Sequence, residues 1–367
     1  MLEGEKNKNF LMAVVVLIVI AAGVWFKYGR DSIKLPAGEV QQVEEIVVKD
    51  GLVLGNIDEV DAEIKKQLEK KDKRLEIKEI MITDGQKHSI PLDEIHAGGP
   101  PKDGIPPIDK PKFISADAAS QDMGDEEVGL AVDINGVQRF YPFQIIVFHE
   151  IVNDTINGQR ILITYCPLCV TGIVFDPMVQ GQRVEFGTSG RLWNSNLLMY
   201  DRKTDSLWSQ VLGEAVVGEM TGTKLQVMPS DVVKFGDWKN AFPGGQVLSR
   251  ETGTFRVYGN DPYGDYYTTP GVYFPVNNTD DRFHEKDIVL GVEFDGKTKA
   301  YLAQSIEQKG EITDRFAGRV LVLRFDRDVG AVRIFEKKSG GILERVNPVY
   351  GFWFSWVSVH PETEVYK

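Results

Sequence analysis

The only two cysteines of this 367-residue chain, Cys166 and Cys169, belong to a single Cys-Pro-Leu-Cys tetrad. Two thiols with this spacing can bind a metal ion, form a reversible disulfide or attack another disulfide. A disulfide across two intervening residues closes a very small ring and removes little entropy from the unfolded chain. The tetrad therefore indicates metal or redox chemistry more than a structural cross-link, which is kept as the alternative.

An internal repeat indicates that the fold does not require these thiols. Residues 130–176 and 290–336 align without a gap, with identities at Leu130 and Leu290, Gly136 and Gly296, Tyr141 and Tyr301, Asp154 and Asp314, and Phe175 and Phe335. In the second copy Asp326 and Val329 replace the cysteines, and Lys309 replaces His149. Because the second copy does without two thiols and an imidazole, we interpret these three residues of the first copy as functional.

Two thiolates and one imidazole form a ligand set that suits copper, zinc or iron. Copper is the preferred metal here, because thiolate and imidazole ligands suit it in an exported protein. Met199 and Glu150 are candidate additional ligands, although nothing in the sequence places them near the cysteines. The alternatives for His149 are a hydrogen-bonded core residue and a proton-transfer group.

The residues after the tetrad exclude several familiar cysteine sites. In thioredoxin-like proteins the first cysteine begins a helix, whereas Val170–Phe175 has the pattern of a strand. A c-type haem needs His directly after the second cysteine, and Val170 occupies that position. A chain with two cysteines cannot by itself supply a four-cysteine zinc site.

The composition excludes one class of partner. The formal net charge is −12 and the pI is about 5.1, whereas binding to a phosphate backbone needs clustered Lys and Arg. We therefore expect no nucleic acid partner. The 42% hydrophobic and 26% charged residues are ordinary for a globular chain with a buried core.

The N-terminal segment has the pattern of a membrane anchor. Phe10–Phe26 is an uncharged, almost entirely apolar run with lysines before it and basic residues after it. A run of this length lies at the short end of what spans a bilayer, and a cleaved signal peptide is the alternative. We predict one transmembrane signal anchor in the cell membrane, the lipid bilayer as partner, and the remaining chain outside the cytoplasm.

The pattern of the repeat predicts an α+β, β-rich fold. A ββαββ unit occurs twice, at about 128–176 and 288–336, with β-hairpins between the copies and one N-terminal transmembrane helix before them. The expected elements of the first unit are the strands Val128–Ile134 and Val137–Tyr141 around an Asn-Gly turn, a helix from Pro142 to about Asn153, and the strands Arg160–Tyr165 and Thr171–Phe175. The predicted divisions are a tail at 1–9, the anchor at 10–26, a charged stalk or collar at 27–86 and one duplicated domain at 87–367.

A segment rich in glycine and proline, residues 98–109, is expected to be a stiff and irregular loop. We interpret it as a rigid linker into the domain, with a lid over a site as the alternative. A ligand groove formed by this loop, through Asp103, and by a tyrosine cluster that includes Tyr258 and Tyr263 is a further hypothesis.

Five ordered segments carry a resemblance to a known family. They are GGPPKDGIPPID at 98–109, HEIVND at 149–154, TYCPLC at 164–169, FGTSGRLWNSNLLMYDRKTDSLWSQ at 186–210 and FWFSWVSVHPETEVY at 352–366. Over roughly residues 86–367 the chain resembles the uncharacterised prokaryotic family called domain of unknown function 3179. The resemblance implies that the two cysteines and His149 lie on signature motifs. The family tetrad is usually followed by a small residue such as Gly, so Val170 departs from it.

These observations lead to three functional hypotheses. The first is a membrane-anchored, exported protein with a metal or redox site at Cys166, Cys169 and His149, with copper handling as its preferred form. The second is a non-catalytic binding module at the cell surface with a structural cysteine pair, for a protein partner that the sequence does not name. The third is a thiol–disulfide oxidoreductase.

Overall fold

The computed structural model describes residues 38–60, 62, 64, 66 and 75–366. The structure is β-rich, with 45% of residues in strands and 12% in helices. The prediction of an α+β fold is therefore wrong, because the strands form several sheets and every helix assigned bounds in the described part has at most seven residues. Among the described residues, no helix is both long and apolar enough to cross a membrane. The predicted transmembrane segment, Phe10–Phe26, lies outside the described residues.

The strands and helices follow one another along the chain with short connections. The strands are β1 (Gln42–Lys49), β2 (Leu52–Asn56), β3 (Leu75–Thr83), β4 (Gln86–His88), β5 (His96–Ala97), β6 (Phe113–Ser115), β7 (Val128–Ile134), β8 (Val137–Pro142), β9 (Ile151–Ile156), β10 (Gln159–Cys166), β11 (Thr171–Asp176), β12 (Met178–Val179), β13 (Gln182–Arg183), β14 (Phe186–Trp193), β15 (Asn196–Asp201), β16 (Leu207–Ser209), β17 (Glu214–Val217), β18 (Gln226–Val227), β19 (Asp231–Lys234), β20 (Gln246–Leu248), β21 (Ile288–Phe294), β22 (Lys297–Leu302), β23 (Glu311–Phe316), β24 (Arg319–Asp326), β25 (Ala331–Lys337), β26 (Leu343–Val346), β27 (Val349–Phe352) and β28 (Glu364–Val365). The α-helices are α1 (Ala116–Ala119), α2 (Phe143–Ile146), α3 (Phe235–Ala241), α4 (Ala303–Lys309) and α5 (Trp353–Val359).

Within the described residues these strands form five sheets. The largest has the order β2-β1-β3-β4-β17-β16-β15-β14-β5, and the second has the order β28-β22-β21-β27-β11-β10-β9, with β18 paired to β11. A third sheet has the order β19-β7-β8-β20-β6, a fourth runs from β23 to β26, and β12 pairs with β13. The strand β10, which lies between β11 and β9, is buried along most of its length, as its run of β-branched and aromatic residues requires.

The duplication extends beyond the part that the sequence repeat indicates. The first copy comprises β7-β8-α2-β9-β10-β11 and then β18-β19-α3-β20, and the second comprises β21-β22-α4-β23-β24-β25 and then β26-β27-α5-β28. The pairing is the same in both, since β19 and β27 lie antiparallel to the first strand of each hairpin while β20 and β28 lie parallel to the second. The tyrosine and aspartate pairs are also equivalent, because Tyr141 donates to Asp154 and Tyr301 donates to Asp314.

Strands of one copy lie beside strands of the other. In the second sheet, β11 of the first copy lies next to β27 of the second, where Gly172 pairs with Tyr350. Reciprocally, β25 of the second copy lies beside β19 of the first, and Arg333 binds Asp231 at 2.7 Å. Arg345, which belongs to β26, binds the same carboxylate. Each half of the duplication therefore completes the other.

One insertion distinguishes the copies. In the first copy β12–β17 lie between β11 and β18, whereas in the second copy a short connection leads from β25 to β26. The inserted strands β14–β17 join β1–β4 in the largest sheet through the pairing of Val217 with His88. The segment predicted as a stalk or collar, 27–86, thus contributes β1–β3 and the first residue of β4 to the same sheet as the insertion.

The bounds of the elements correct the predicted unit. The first helix ends at Ile146 instead of near Asn153, and β9 begins at Ile151. The reason is local, because Glu150 has a positive φ of 59° that ends the helical path. The unit in each copy therefore has one more strand than predicted. The Asn135-Gly136 and Asp295-Gly296 turns have positive φ at both residues, as the turn type favoured in tight hairpins requires.

Candidate functional site

The tetrad forms a buried turn at the end of β10. Cys166 is the last residue of β10, and Cys169 donates its backbone N–H to the carbonyl oxygen of Cys166 at 3.3 Å. Both cysteines are free thiols, with exposures of 1% and 0%. The turn ends at Val170, whose φ of 51° is unfavourable for a β-branched residue. The equivalent residue of the second copy is Gly330, with a φ of 68°.

Cys169 is surrounded by hydrogen-bond donors. The side-chain nitrogen of Asn196 donates to its sulfur at 2.9 Å. Burial raises the pKa of Cys169, but the nearby polar side chains of Cys166, Thr171, Asn196 and Ser355 outweigh that effect and lower it to about 7. Since donors stabilise the anion, this sulfur is the one that carries a thiolate near neutral pH.

A buried polar network holds Asn196 in place. The Asn196 amide nitrogen also donates to Gln210 at 3.1 Å, and its oxygen accepts from the backbone of Val211 at 3.2 Å. Gln210 in turn donates to the hydroxyl of Thr164 and to the carbonyl oxygen of Thr171. Asn196 and Gln210 are both buried, so these hydrogen bonds hold the Asn196 side-chain nitrogen in its position next to the Cys169 sulfur.

Cys166 has the opposite character. Burial raises the pKa of its thiol well above the usual value, and the neighbouring Cys169 and Glu150 raise it further. A backbone N–H from Leu197 donates to this sulfur and opposes the rise only in part. The pair is thus asymmetric, because its surroundings raise the pKa of Cys166 and lower that of Cys169.

Glu150 is an unusual residue beside this pair. Its side chain is 7% exposed, and within the described part of the chain its carboxyl group has no hydrogen bond or ion pair. Burial, and then the nearby charge of Cys169, raise its pKa to about 8. The equivalent residue of the second copy is Gly310, which also has a positive φ. The first copy therefore places a carboxyl group at a backbone conformation that favours glycine.

A small cavity lies between this group and the glycine- and proline-rich loop at 98–109. It has a volume of about 40 Å³ and is lined by Glu150, Leu168 and Tyr263, by Leu197 of β15, and by Pro101 and Ile105 of the loop. A cavity that holds one water needs roughly 10–15 Å³ on this measure. The space therefore admits a molecule of a few heavy atoms.

The loop is fastened over the cavity by hydrogen bonds to β14. The backbone N–H of Gly98 donates to Gly190 at 2.8 Å, that of Asp103 donates to Thr188 at 2.9 Å, and the Thr188 hydroxyl donates to Ile105 at 2.7 Å. A Cβ atom at Gly190 would collide with the carbonyl oxygen of Pro100, so the loop and the strand are in close contact. The loop forms one side of the cavity, and its role as a linker or a lid stays a prediction.

His149 is fully buried, and both of its ring nitrogens are in hydrogen bonds. Nδ1 contacts the carbonyl oxygen of Pro106 at 2.7 Å, and Nε2 contacts the hydroxyl of Tyr258 at 2.6 Å. Because a carbonyl oxygen only accepts, Nδ1 carries the proton and Nε2 accepts from Tyr258. Burial lowers the pKa of His149, which favours this neutral form. The imidazole links the loop to the segment that carries Tyr258.

The other predicted site residues have separate positions. Met199 is fully buried in the hydrophobic cluster that also contains both cysteines. Asp103 accepts a hydrogen bond from Tyr200 at 2.5 Å. Tyr263 lines the cavity, whereas Tyr258 binds His149. Asp103, Tyr258 and Tyr263 therefore have different partners, and a groove formed by them stays a prediction.

The metal prediction is not tested by this arrangement. Across the described residues no group of three or more His, Cys, Asp and Glu side chains could hold a metal ion. Copper, zinc or iron at the cysteines and His149 therefore stays a prediction.

Sequence reasoning missed the residues that tune the thiols. Asn196 and Leu197 begin β15 of the insertion, and Ser355 lies in α5 of the second copy. Pairings between distant strands bring them to the tetrad, and no local spacing indicates that. The sequence did contain a signal for Glu150, since the repeat aligns this acidic residue with Gly310.

The second copy shows which residues occupy the equivalent positions when the cysteines are absent. Asp326, the counterpart of Cys166, binds Arg333 at 2.6 Å, and Val329, the counterpart of Cys169, is buried in a separate hydrophobic cluster with Trp238. Asp237 occupies the place of Ser355 in the equivalent helix. The equivalent turn is thus held by an ion pair and apolar packing.

The fold and the site define an internally duplicated β-rich protein with one buried, asymmetric dithiol under a covering loop. A family model described as "Protein of unknown function (DUF3179)" matches residues 102–363, and the chain belongs to that family. The comparison with curated proteins finds no match. The comparison with solved structures finds none either.

Proposed function

We propose that Cys166 and Cys169 form a two-electron redox couple that alternates between a dithiol and an intramolecular disulfide. The observation that carries this proposal is the hydrogen bond from Asn196 to the sulfur of Cys169 at 2.9 Å, inside a pair of free thiols with opposite pKa shifts. A stabilised thiolate next to a protonated thiol is the arrangement of a nucleophilic and a resolving cysteine.

The position of the two sulfurs supports the formation of a disulfide. Cys166 and Cys169 lie at the two ends of one tight turn, closed by the hydrogen bond from the Cys169 backbone N–H to the Cys166 carbonyl oxygen, and each thiol shifts the pKa of the other. Oxidation removes two electrons from the pair together with the protons that the thiols carry. Because the ring that forms is small, the disulfide adds little to stability and remains easily reduced.

Glu150 gives the couple a local proton donor. Its carboxyl group lines the cavity beside the tetrad and has no competing partner in the described part of the chain. A carboxyl group with a pKa of about 8 exchanges protons readily near neutral pH. Because it is mostly protonated at pH 7, it can donate a proton to the couple.

The test is a redox titration of the full-length protein. Purified protein is equilibrated for hours in buffers of reduced and oxidised dithiothreitol, and free thiols are alkylated and counted by mass spectrometry. We expect one two-electron transition between two free thiols and none. A pair that stays as two thiols at every potential would exclude the redox couple.

Two controls accompany the titration. In Cys166→Ser the transition should disappear, since no intramolecular disulfide can form. The metal content of the same samples, measured by elemental mass spectrometry, tests the copper, zinc and iron prediction separately. Near-stoichiometric metal that is lost in Cys166→Ser would favour metal binding over the redox couple.

A further inference from the structure

A distant tyrosine is hydrogen-bonded to the tetrad turn. The hydroxyl of Tyr266 donates to the backbone carbonyl oxygen of Leu168 at 2.7 Å, and Leu168 lies between the two cysteines in the chain. Tyr266 is fully buried and belongs to the segment 249–287, which connects β20 to β21 without a helix or strand of its own. The contact therefore joins the tetrad to a residue that follows Leu168 by 98 positions.

A buried lysine holds this tyrosine. The ammonium group of Lys286 donates to the backbone carbonyl oxygens of Tyr266 and Thr269, the latter at 2.6 Å, and lies 3.8 Å from the centroid of the Tyr266 ring. Lys286 is 8% exposed and has no ion pair within the described part of the chain. Because a buried charge is costly without its partners, the ammonium group favours one arrangement of the Tyr266 ring and backbone.

The second copy closes the equivalent turn in a different way. Asp328, the counterpart of Leu168, is exposed, and its backbone N–H donates to the side chain of Asp326 at 3.1 Å. Asp326 is the counterpart of Cys166, and a cysteine has no carboxylate to accept this bond. The turn with the cysteines thus lacks the local contact and has one from outside the turn instead.

Formation of a disulfide acts on the peptide unit that Tyr266 holds. Both cysteines are free thiols in this structure, and a disulfide brings its two sulfurs to roughly 2.0 Å from each other. The backbone between them adjusts to that distance. Pro167 contributes little, because the ring of proline fixes φ. The torsions next to Leu168 therefore take up most of the change, and the Leu168 carbonyl group turns with them.

We infer that Tyr266, held by Lys286, is a positioning residue that keeps the tetrad in its dithiol conformation and so sets the balance between dithiol and disulfide. This inference rests on the proposed redox couple and deepens it. The hydrogen bond to Leu168 is present in the dithiol form and is weakened when the turn closes into a disulfide. It therefore favours the reduced state without a contact to either sulfur.

The experiment measures the equilibrium of the full-length protein with dithiothreitol for the wild type and for Tyr266→Phe. Oxidised dithiothreitol takes the two electrons and two protons that the protein dithiol loses, and becomes a dithiol itself. Tyr266→Phe keeps the ring and removes only the hydroxyl. We expect a shift of about 5-fold towards the protein disulfide, or about 20 mV for a two-electron couple, since one neutral hydrogen bond contributes about that much.

The equilibrium with dithiothreitol separates a positioning role from a structural one. A hydrogen bond of equal strength in both redox states stabilises both equally, so its loss leaves this equilibrium unchanged. Urea unfolding of the reduced and of the oxidised protein measures each state by itself. Tyr266→Phe should lower the free energy of unfolding more in the reduced protein than in the oxidised protein.

Two further variants test the assignment to this tyrosine and its lysine. Lys286→Met removes the ammonium group that holds the ring, so it should shift the equilibrium in the same direction as Tyr266→Phe. Tyr267→Phe is the matched control in the same segment, because the Tyr267 hydroxyl donates to Asp261 at 3.1 Å. A shift of equal size in Tyr267→Phe would overturn the assignment to Tyr266.

The outcomes separate this inference from the proposed function. If the wild type has a two-electron transition and Tyr266→Phe has the same midpoint, or one shifted towards the dithiol, the positioning role fails and the redox couple stands. If the wild type and Tyr266→Phe both keep two free thiols at every potential, both proposals fail.

Discussion

The thiolate of Cys169 depends on individual donors, and Asn196 is the one with a short contact to the sulfur. A hydrogen bond to a charged group contributes about 1.5–3 kcal/mol, or about one to two pKa units. We therefore expect Asn196→Ala to raise the pKa of Cys169 from its value of about 7 by that amount. The absorbance of the thiolate near 240 nm, followed against pH, measures the change.

The control for this substitution is Ser209→Ala. The Ser209 hydroxyl is buried and has no hydrogen-bond partner in the described part of the chain, so its loss should leave the thiol titration unchanged. An unchanged pKa of Cys169 in Asn196→Ala would contradict the role assigned to Asn196.

Glu150 should make stability depend on pH. Its folded pKa of about 8 lies above the ordinary value of 4.5, so the folded state holds this proton more tightly than the unfolded state. The contribution is fully present below pH 4.5 and is lost as the pH rises towards 8. We expect Glu150→Gln to remove a slope of about 1.4 kcal/mol per pH unit in this window, as measured by urea unfolding at several pH values.

Glu150→Gly is the matched comparison, because it copies Gly310 of the second repeat. It also removes the carboxyl group and relieves the backbone at a positive φ. Both variants should therefore show the flatter pH profile. A wild-type slope that persists in both would mean that another group titrates in this range.

At the scale of the elements, the conformation of a single turn affects the stability of the protein. The hairpin between β23 and β24 places Ala317 at a φ of 48°, where the equivalent hairpin of the first copy has Asn157 at 47°. Asn tolerates this conformation better than Ala. We expect Ala317→Asn to raise the free energy of unfolding by about 0.5–1 kcal/mol, measured by urea unfolding.

The reverse substitution in the equivalent turn is the control. Asn157→Ala places Ala in the same conformation and should lower the free energy of unfolding by a similar amount. If both substitutions change stability in the same direction, the conformation of the turn is not the cause.

The strands also show which parts of the fold the sequence alone predicts. The alternating strands, the Asn-Gly and Asp-Gly turns and the gapless repeat were sufficient to place β7, β8, β10 and β11 within one or two residues. β9 was missed because a proline followed by apolar residues favours a continuing helix, and an acidic residue at position 150 does not indicate the positive φ that ends it. The second part of the duplication was missed because few residues there are identical between the copies. The identities are Trp238 with Trp356, Pro243 with Pro361, and Val247 with Val365.

The candidate site was predictable only where its features are local in the sequence. The spacing of the cysteines and their replacement in the second copy are visible in the sequence. The donors to Cys169 come from the insertion and from the second copy, so only the pairing of distant strands brings them together. Burial of the thiols under the loop likewise depends on packing that no local pattern specifies.

At the scale of the whole molecule, Asp231 joins the two copies. This carboxylate binds Arg333 and Arg345 of the second copy, and its side chain is only 10% exposed. Removing one partner of a buried ion pair costs about 3–5 kcal/mol, and the partial exposure of the arginines reduces this to about 2–3 kcal/mol here. Asp231→Asn should destabilise the protein by that amount in chemical unfolding.

An exposed ion pair provides the contrast. Glu126 binds Lys234 at 2.7 Å, and both side chains are largely exposed. Glu126→Gln should change the free energy of unfolding by less than about 0.5 kcal/mol. Equal effects of the two substitutions would show that Asp231 does not join the copies.

The contacts between the copies have a consequence for the order of folding. β11 pairs with β27, and β25 lies beside β19, although these partners are far apart along the chain. Contacts between distant segments carry a larger loop-closure cost than local hairpins do, and they form later. We therefore expect the hairpins of each copy to form first and the two copies to become stable together.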